Sequence, residues 1–340
     1  MPIAMKNATT ADEVLAALRA GDFSHEALRA ALLMRGGEQE KLFELARECR
    51  DRCFPDKRVE VRSVIEISNI CRQGCRYCNM GRKRDYEHYI IQLPAFMKLV
   101  EHIYRSGRRV LLLQSGENSA QSFVEHVALC VEEVKKRYPD MLVILCLGNL
   151  SRTQYHRLRQ AGGDRYILKF ETSNPELYSH IKPFDKLDRR LTCLQWITEE
   201  GFTASTGNIV GLPGQTLDDI VEDLLLIKKL KLSMMSCSPF IPAENSEFGD
   251  QPMGDLDTAL NTMALLRIMN PHTLMPTTSA LEKVGHDGQY RGLMAGANTV
   301  TIHDGTPEDL KQLFPIYSVS RVRPTQEHFE EIVHRAGLKM

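Results

Sequence analysis

From residue 59 onward, short apolar runs of strand-like composition alternate with longer stretches of helical periodicity. Eight such runs can be counted, and they lie at 59–68, 109–115, 142–148, 166–172, 203–210, 233–240, 273–278 and 298–303. Strands alternating with helices in this way are typical of the α/β class and predict a (β/α)8 barrel of the TIM type. An open, doubly wound sheet built from the same elements is the structural alternative.

The first 55 residues carry a different pattern, with three short helical segments and no strand. Thr10 and Ser24 are suited to cap the first two segments, and the third covers residues 38–53. The length of 340 residues would accommodate two domains. Because no low-complexity linker divides the later elements, we instead expect an N-terminal helical extension over residues 1–55 and one barrel over residues 56–340.

Charge and hydropathy exclude several classes of partner. The chain has 43 Lys and Arg against 44 Asp and Glu, so it lacks the basic excess of a nucleic-acid or anionic-membrane binder. No apolar run reaches the roughly 18 residues that a membrane span needs. The first ten residues also lack the apolar core of a secretory signal, which favours a cytoplasmic protein.

Three of the nine cysteines stand close together after the first predicted strand. Cys71, Cys75 and Cys78 form a C-x3-C-x2-C arrangement, whose thiolates can converge on one iron–sulfur cluster. A 4Fe–4S cluster usually takes four cysteines, so three leave one iron open to a substrate or cofactor. Structural zinc, which wants four ligands, and a chance grouping of loop thiols are the alternatives. The odd cysteine total argues against a disulfide framework.

Other polar residues follow the carboxyl ends of predicted strands, which form the end of a TIM-type barrel where the active site lies. The second strand ends at Ser115-Gly116-Glu117, where the glycine allows a cationic amine to approach the carboxylate. Lys169 and Glu171, two residues apart, share one face of the fourth strand. If that face points inward, such a pair needs a ligand or a tight network around it. Solvated loop residues are the alternative reading.

The cysteine triplet, with Tyr77 just before its last member, resembles the radical S-adenosylmethionine (SAM) superfamily. The resemblance implies that Cys71, Cys75 and Cys78 hold one 4Fe–4S cluster, whose open iron chelates the amino and carboxylate groups of SAM. It also implies that the reduced cluster cleaves SAM to methionine and a 5′-deoxyadenosyl radical, which abstracts hydrogen from a small-molecule substrate. An electron donor such as flavodoxin or ferredoxin would supply the reduction.

The same resemblance implies roles for other residues. Ser115-Gly116-Glu117 is similar to the Gly-Gly-Glu motif that holds the SAM amino group, Arg190 would pair with the SAM carboxylate, and Glu171 would approach the ribose and sulfonium. The remaining expected cofactor-binding residues are Tyr77 and Met234, and the expected substrate-binding residues are Lys169, Thr277 and Thr278. For Met234, a place in the apolar core is an equal alternative.

Four segments, at 113–117, 211–216, 239–242 and 295–298, look most like FeFe-hydrogenase maturases of the HydE type, with 3-methylornithine synthase and biotin synthase as relatives. This similarity implies an enzyme that acts on a small amino-acid-derived or sulfur-containing substrate. A carbon-skeleton mutase and a non-catalytic iron–sulfur assembly protein are the alternatives.

Two departures from the HydE type stand out. Lys169 replaces an arginine, and lysine lacks the bidentate fork of that side chain. In addition, some HydE-type proteins carry extra C-terminal cysteines for a second cluster, and this chain has no cysteine after Cys237 that could supply one. We expect the other cysteines to be incidental thiols, and these are Cys49, Cys53, Cys130, Cys146, Cys193 and Cys237.

Overall fold

The computed structural model describes residues 10–81, 86–311, 313, 314, 316 and 324–340. Its centre is a seven-stranded sheet, with β1 (Glu60–Ser68), β2 (Val110–Ser115), β3 (Leu142–Cys146), β4 (Arg165–Ile167), β5 (Thr203–Val210), β6 (Met234–Pro239) and β7 (Thr299–Ile302). The strand order is β6-β5-β4-β3-β2-β1-β7, and all pairs are parallel. From β1 to β6, neighbours in sequence are neighbours in space, and β7 pairs with β1, as the predicted TIM-type barrel requires.

The predicted strand at 273–278 is present as a bridging segment rather than as a regular strand. Leu274 pairs with Met234 of β6, and Pro276 pairs with Thr299 of β7. The segment thus connects the two ends of the seven-stranded sheet. Pro276 has no N–H to donate, which explains why a continuous ladder does not form here.

Helices follow most of the strands and cover the outside of the sheet. They are α1 (Ala11–Arg19), α2 (His25–Leu32), α3 (Gly36–Cys53), α4 (Leu93–Arg105), α5 (Gln121–Arg137), α6 (Arg152–Gln160), α7 (Pro175–Ile181), α8 (Leu187–Glu199), α9 (Leu217–Leu230), α10 (Leu256–Met269), α11 (Ser279–Val284), α12 (Gly288–Met294), α13 (Glu308–Lys311) and α14 (Gln326–Arg335). Sequence periodicity misses α7 and α11, which are too short to show a repeat. Within the described parts of the chain, no helix combines the length and apolar character needed to cross a membrane.

The three N-terminal helices pack on the outside of the barrel. Leu28 and Leu42 are fully buried in one apolar cluster with Leu260 of α10. Polar contacts fix the same interface, since Gln39 Nε2 donates to Asn261 Oδ1 at 2.9 Å. The extension therefore stabilises the back of the barrel, away from the cysteine loop.

Alternation along β1 separates the core from the interior of the barrel. Ile65 and Ile67 point outward and are fully buried against the surrounding helices. Arg62 lies on the opposite face and lines an internal cavity, while Val64 belongs to a small apolar cluster with Leu112. The interior is therefore only partly filled with apolar side chains, which leaves room for polar chemistry.

Candidate active site

The three cysteines predicted to bind the cluster face one cavity of about 240 Å³ at the carboxyl ends of the strands. Cys71, Cys75 and Cys78 are all half-buried and lie on the loop that follows β1. Gly74 lets this loop pass close to the Phe184 ring, because a Cβ on Gly74 would lie 2.5 Å from Phe184 Cε2. The loop thus brings all three thiols to the same cavity, as their spacing predicts.

Burial makes the thiols of Cys71 and Cys75 costly to ionise. It raises the pKa of Cys71, and the backbone N–H groups of Gln73 and Glu117 oppose the shift by donating hydrogen bonds to the sulfur. Burial also raises the pKa of Cys75 to about 11, against the opposing charge of Lys182. Thiolates at these positions would be stabilised by further positive charge beside them, which a metal cluster supplies.

A buried ion pair joins the ends of β2 and α8 beside the cysteines. Arg190 Nη1 donates to Glu117 Oε2 at 2.7 Å, and Gln73 Nε2 donates to Glu117 Oε1 at 2.6 Å. Burial by itself raises the pKa of Glu117, but Arg190, Lys182 and the Gln73 hydrogen bond outweigh it, so the net pKa lies below the ordinary value. Burial lowers the pKa of Arg190, yet the facing carboxylates raise it overall. Both groups are therefore held charged at the cavity wall.

A second layer of hydrogen bonds orients this pair. Arg190 also donates from Nη1 to Asn149 Oδ1 at 2.9 Å and from Nε to the Lys169 carbonyl at 2.8 Å. Asn149 Nδ2 in turn donates to the Asp185 carboxylate, which accepts a 2.6 Å hydrogen bond from Tyr178. The guanidinium is thus fixed from three sides.

Gly148 makes room for the Glu117 side chain. Its φ is +81°, and a Cβ at this position would overlap the Glu117 carboxylate arm. A glycine after β3 is therefore required both by the backbone conformation and by the space that the site needs.

We predict that Gly148→Ala destabilises the protein by about 1–3 kcal/mol more than Gly21→Ala does, because it adds steric overlap to the shared cost of a left-handed backbone. Gly21 is the matched control, since its φ is +82° and nothing lies within 4 Å of its Cβ position. Urea unfolding of the cluster-free proteins measures both changes. Equal losses in the two variants would show that the contact with Glu117 does not matter.

Lys169 and Glu171 also face the cavity, with Nζ and Oε2 3.2 Å apart. Glu171 has a left-handed backbone with φ of +68°. The regular part of β4 ends at Ile167, earlier than the predicted strand end at residue 172. The prediction that both side chains share an inward face agrees with their positions.

A second cavity of about 210 Å³ adjoins the first and shares Gln114, Cys146 and Lys169 with it. Arg62 and Thr278 are among the other residues that line it. His303 lines it as well, with its Nδ1 3.3 Å from Glu66 Oε1. The two cavities together form one interior space beside the cysteines, whose largely apolar wall carries a few polar and charged side chains.

Most of the predicted site residues meet at these cavities, but two do not. Tyr77, Ser115 and Gly116 line the first cavity together with the residues described above. Met234 is outside it, because it begins β6, whereas the cavity lies at the end of that strand, about 17 Å farther along. Thr277 is also outside, because its hydroxyl points away and donates to the Gln289 carbonyl.

Several residues at the site were not predicted as functional. Gln73 and Lys182 contact or polarise the cysteine–glutamate region, and Gly148 makes space for it. Cys146, interpreted from sequence as incidental, lines both cavities. Its position at the end of β3 is the signal that could have identified it.

Comparison with known proteins decides the family. A sequence model of the radical SAM superfamily matches residues 65–227. The FeFe-hydrogenase maturase subunit HydE of Thermotoga maritima is 34% identical over 310 residues, which are 91% of this chain and 88% of that protein. The chain belongs to the radical SAM superfamily. It is accordingly an enzyme of the kind that works with a 4Fe–4S cluster and SAM.

Further relatives of this radical SAM enzyme agree with its fold. The 3-methylornithine synthase of Methanosarcina acetivorans is 25% identical over 82% of this chain and 79% of its own length. The crystal structure of methylornithine synthase (PylB) superposes with a TM-score of 0.83 at 22% identity and covers 96% of both chains. This likeness confirms the TIM-type architecture.

The residues of this radical SAM enzyme fit the two cofactors of its family. Three thiols face one cavity, and the end of β2 lies so close to their loop that a Cβ on Gly116 would lie 2.7 Å from Cys71 Cβ. A buried carboxylate and a buried guanidinium stand beside them, as a zwitterionic amino acid group requires. Both donor sets are therefore suited to the groups they would hold.

Proposed function

We propose that this protein is a HydE-like enzyme that generates a 5′-deoxyadenosyl radical from SAM at a single 4Fe–4S cluster and uses it on a small substrate inside the barrel. The observation that carries the proposal is the meeting of Cys71, Cys75 and Cys78 with the Glu117–Arg190 pair at one cavity. The cluster and SAM supply the radical chemistry, and the protein supplies binding, orientation and the exclusion of water.

Each group at the cavity has a binding task. The three thiolates hold the cluster. Glu117 accepts the SAM amino group and Arg190 pairs with the SAM carboxylate, so each partner of the buried pair binds the opposite charge of the same amino acid. Glu171 contacts the ribose and sulfonium of SAM. Tyr77 forms part of the cavity wall, where it packs beside Ile209 and Phe240.

The adjoining cavity is the substrate site, with Lys169 between it and the SAM site. Its volume of about 210 Å³ suits a molecule of amino-acid size. Lys169 and Thr278 line this cavity, and their side chains favour a substrate that carries a carboxylate or another hydrogen-bond acceptor. An amino-acid-derived or sulfur-containing compound fits these requirements and the similarity to HydE.

A carbon-skeleton mutase is the second candidate. It is supported by the 25% identity to 3-methylornithine synthase over 82% of this chain. A cluster carrier without SAM chemistry is less favoured, because such a protein would have no use for the buried Glu117–Arg190 pair at the cavity.

SAM cleavage by the anaerobically reconstituted protein tests the proposal. We expect 5′-deoxyadenosine and methionine to form in equal amounts after addition of SAM and dithionite or a reduced flavodoxin, and neither to form without the reductant. A reconstituted protein that carries its iron but yields neither product would contradict the proposal and support the carrier.

Product analysis separates the two enzymes. Amino acid and thiol compounds would be screened by high-resolution mass spectrometry after turnover. A mutase leaves the elemental composition of its substrate unchanged. A product that contains the adenosyl group, or that has lost hydrogen, supports the HydE-like reading.

A further inference from the structure

The left-handed backbone at Glu171 needs surroundings that hold it, because a non-glycine residue does not adopt this conformation without constraint. Strand β5 supplies part of the constraint. The Glu171 N–H donates to the Gly207 carbonyl at 3.0 Å, and the Glu171 carbonyl accepts from the Ile209 N–H at 2.8 Å. These bonds fix the residue on its sheet side, while the chain after it turns outward toward α7.

Asp223 of α9 holds the outward turn. Its Oδ1 accepts hydrogen bonds from the Ser173 N–H at 2.6 Å and from the Ser173 hydroxyl at 2.7 Å. Its Oδ2 accepts from Asn208 Nδ2 at 3.1 Å, and Asn208 is itself the β-bridge partner of Glu171. A single side chain therefore ties the segment after β4 to both β5 and α9.

Retaining a carboxylate at this place is costly. Asp223 is fully buried, and the groups that hydrogen-bond to it are uncharged. Burial raises the pKa of Asp223 to about 7, although the hydrogen bonds from Ser173 and Asn208 act in the opposite direction. An aspartate at this buried position does not stabilise α9 itself. Its role is to accept the hydrogen bonds from Ser173 and Asn208.

The neighbouring acids of α9 have different surroundings. Asp219 completes a capping box at the start of α9, in which its carboxylate accepts a hydrogen bond from the Thr216 N–H. The same carboxylate accepts a hydrogen bond from Asn174 Nδ2 at the rim of an outer groove. Asp218 is exposed and pairs with Arg29 on the surface. Neither contacts residues 171–173 in the way that Asp223 does, so Asp218 is a suitable control on the same helix.

We propose that Asp223 is a positioning residue, which holds the Glu171–Ser173 turn so that the Glu171 carboxylate faces the SAM cavity. The inference rests on the proposed function for the role of Glu171 toward SAM. It does not rest on that function for the claim that Asp223 holds the turn.

Hydrogen–deuterium exchange on the cluster-free protein tests the structural claim. In Asp223→Ala we expect the amides of residues 171–174 to exchange at least about tenfold faster, because the Ser173 N–H loses its buried acceptor. Asp218→Ala should leave these amides unchanged. Unchanged exchange of residues 171–174 in Asp223→Ala would overturn the proposal.

SAM binding to the reconstituted, unreduced protein tests the functional claim. We expect Asp223→Ala to raise the Kd for SAM by at least about tenfold with the iron content unchanged. Asp223→Asn should stay within about threefold of the wild type, because its amide oxygen can keep both Ser173 bonds and its NH2 can donate to Asn208 Oδ1 once the Asn208 amide, whose Nδ2 faces Asp223 in the wild type, turns over. Asn208 Oδ1 is buried without a hydrogen-bond partner among the described residues.

The remaining outcomes are equally decisive. Affinity within about twofold of the wild type in Asp223→Ala, or an Asn variant as weak as the Ala variant, would overturn the positioning role. If Asp223→Ala does not fold, Ser173→Ala replaces it. We then expect the affinity for SAM to be severalfold weaker than in the wild type, and an unchanged affinity would overturn the positioning role. If the wild type itself does not bind SAM, the proposed function fails, and the exchange measurement still decides whether Asp223 holds the turn.

Discussion

Replacing Cys75 with alanine should abolish both cluster assembly and SAM cleavage. Cys75 lies with Cys71 and Cys78 at one cavity, and two thiolates cannot replace the three that the loop provides. Loss of an outer-shell partner of a metal ligand already costs about 10–100-fold, so removal of a ligand should lower SAM cleavage by at least about 100-fold. Iron analysis after anaerobic reconstitution and quantification of 5′-deoxyadenosine measure the two effects.

Cys49→Ala is the matched control for this experiment. Cys49 is also a half-buried thiol, but it lies on α3 in the helical extension. Iron content and SAM cleavage should therefore be unchanged in this variant. A Cys75→Ala protein that keeps its iron and its activity, or a Cys49→Ala protein that loses both, would contradict the assignment of ligands.

Replacing Arg190 with glutamine should be the most destabilising single change at the site. It leaves the Glu117 carboxylate buried without its guanidinium, and the Glu117 side chain is only 12% exposed. Breaking a buried pair in this way costs about 3–5 kcal/mol. Urea unfolding of the cluster-free protein measures the loss, and SAM binding should disappear with it.

The double variant Glu117→Gln with Arg190→Gln separates charge from packing. Since both charges are then removed, we expect it to be more stable than Arg190→Gln alone. A double variant that loses the sum of the two single changes would show that the pair is not coupled.

The acid range provides a further check on this pair. The folded pKa of Glu117 lies below its ordinary value. The stability that it contributes is therefore fully present above the ordinary carboxyl pKa and is lost as the pH falls through the folded pKa. Arg190→Gln should weaken this part of the pH dependence, whereas an unchanged profile would place its origin elsewhere.

The sequence predicts the parts of the fold that local patterns determine. Alternating strands and helices define the barrel, and the C-x3-C-x2-C spacing places three thiols on one loop, because both depend on residues close in the chain. The two-residue period of a strand predicts that Lys169 and Glu171 share one face, and both line the cavity although the regular part of β4 ends at Ile167. The structure also confirms the strand β5 at its predicted ends, Thr203–Val210.

Other features depend on contacts between distant segments. The approach of Gln73 and Gly148 to Glu117 is a property of three different loops, so spacing within any one of them does not reveal it. Met234 of the sixth predicted strand is expected at the SAM site, but its place at the start of β6 puts it at the opposite end of the strand. Of the adjacent residues Thr277 and Thr278, only the second faces a cavity.

The electron paramagnetic resonance spectrum of the reconstituted, reduced protein, recorded with and without SAM, shows whether SAM binds the cluster. We predict about four irons per chain and the signal of a reduced 4Fe–4S cluster, whose shape changes when SAM binds the iron that no cysteine holds. The change should be absent in Arg190→Gln. A cluster signal that SAM leaves unaltered in the wild type would contradict the claim that Cys71, Cys75 and Cys78 leave one iron open for SAM.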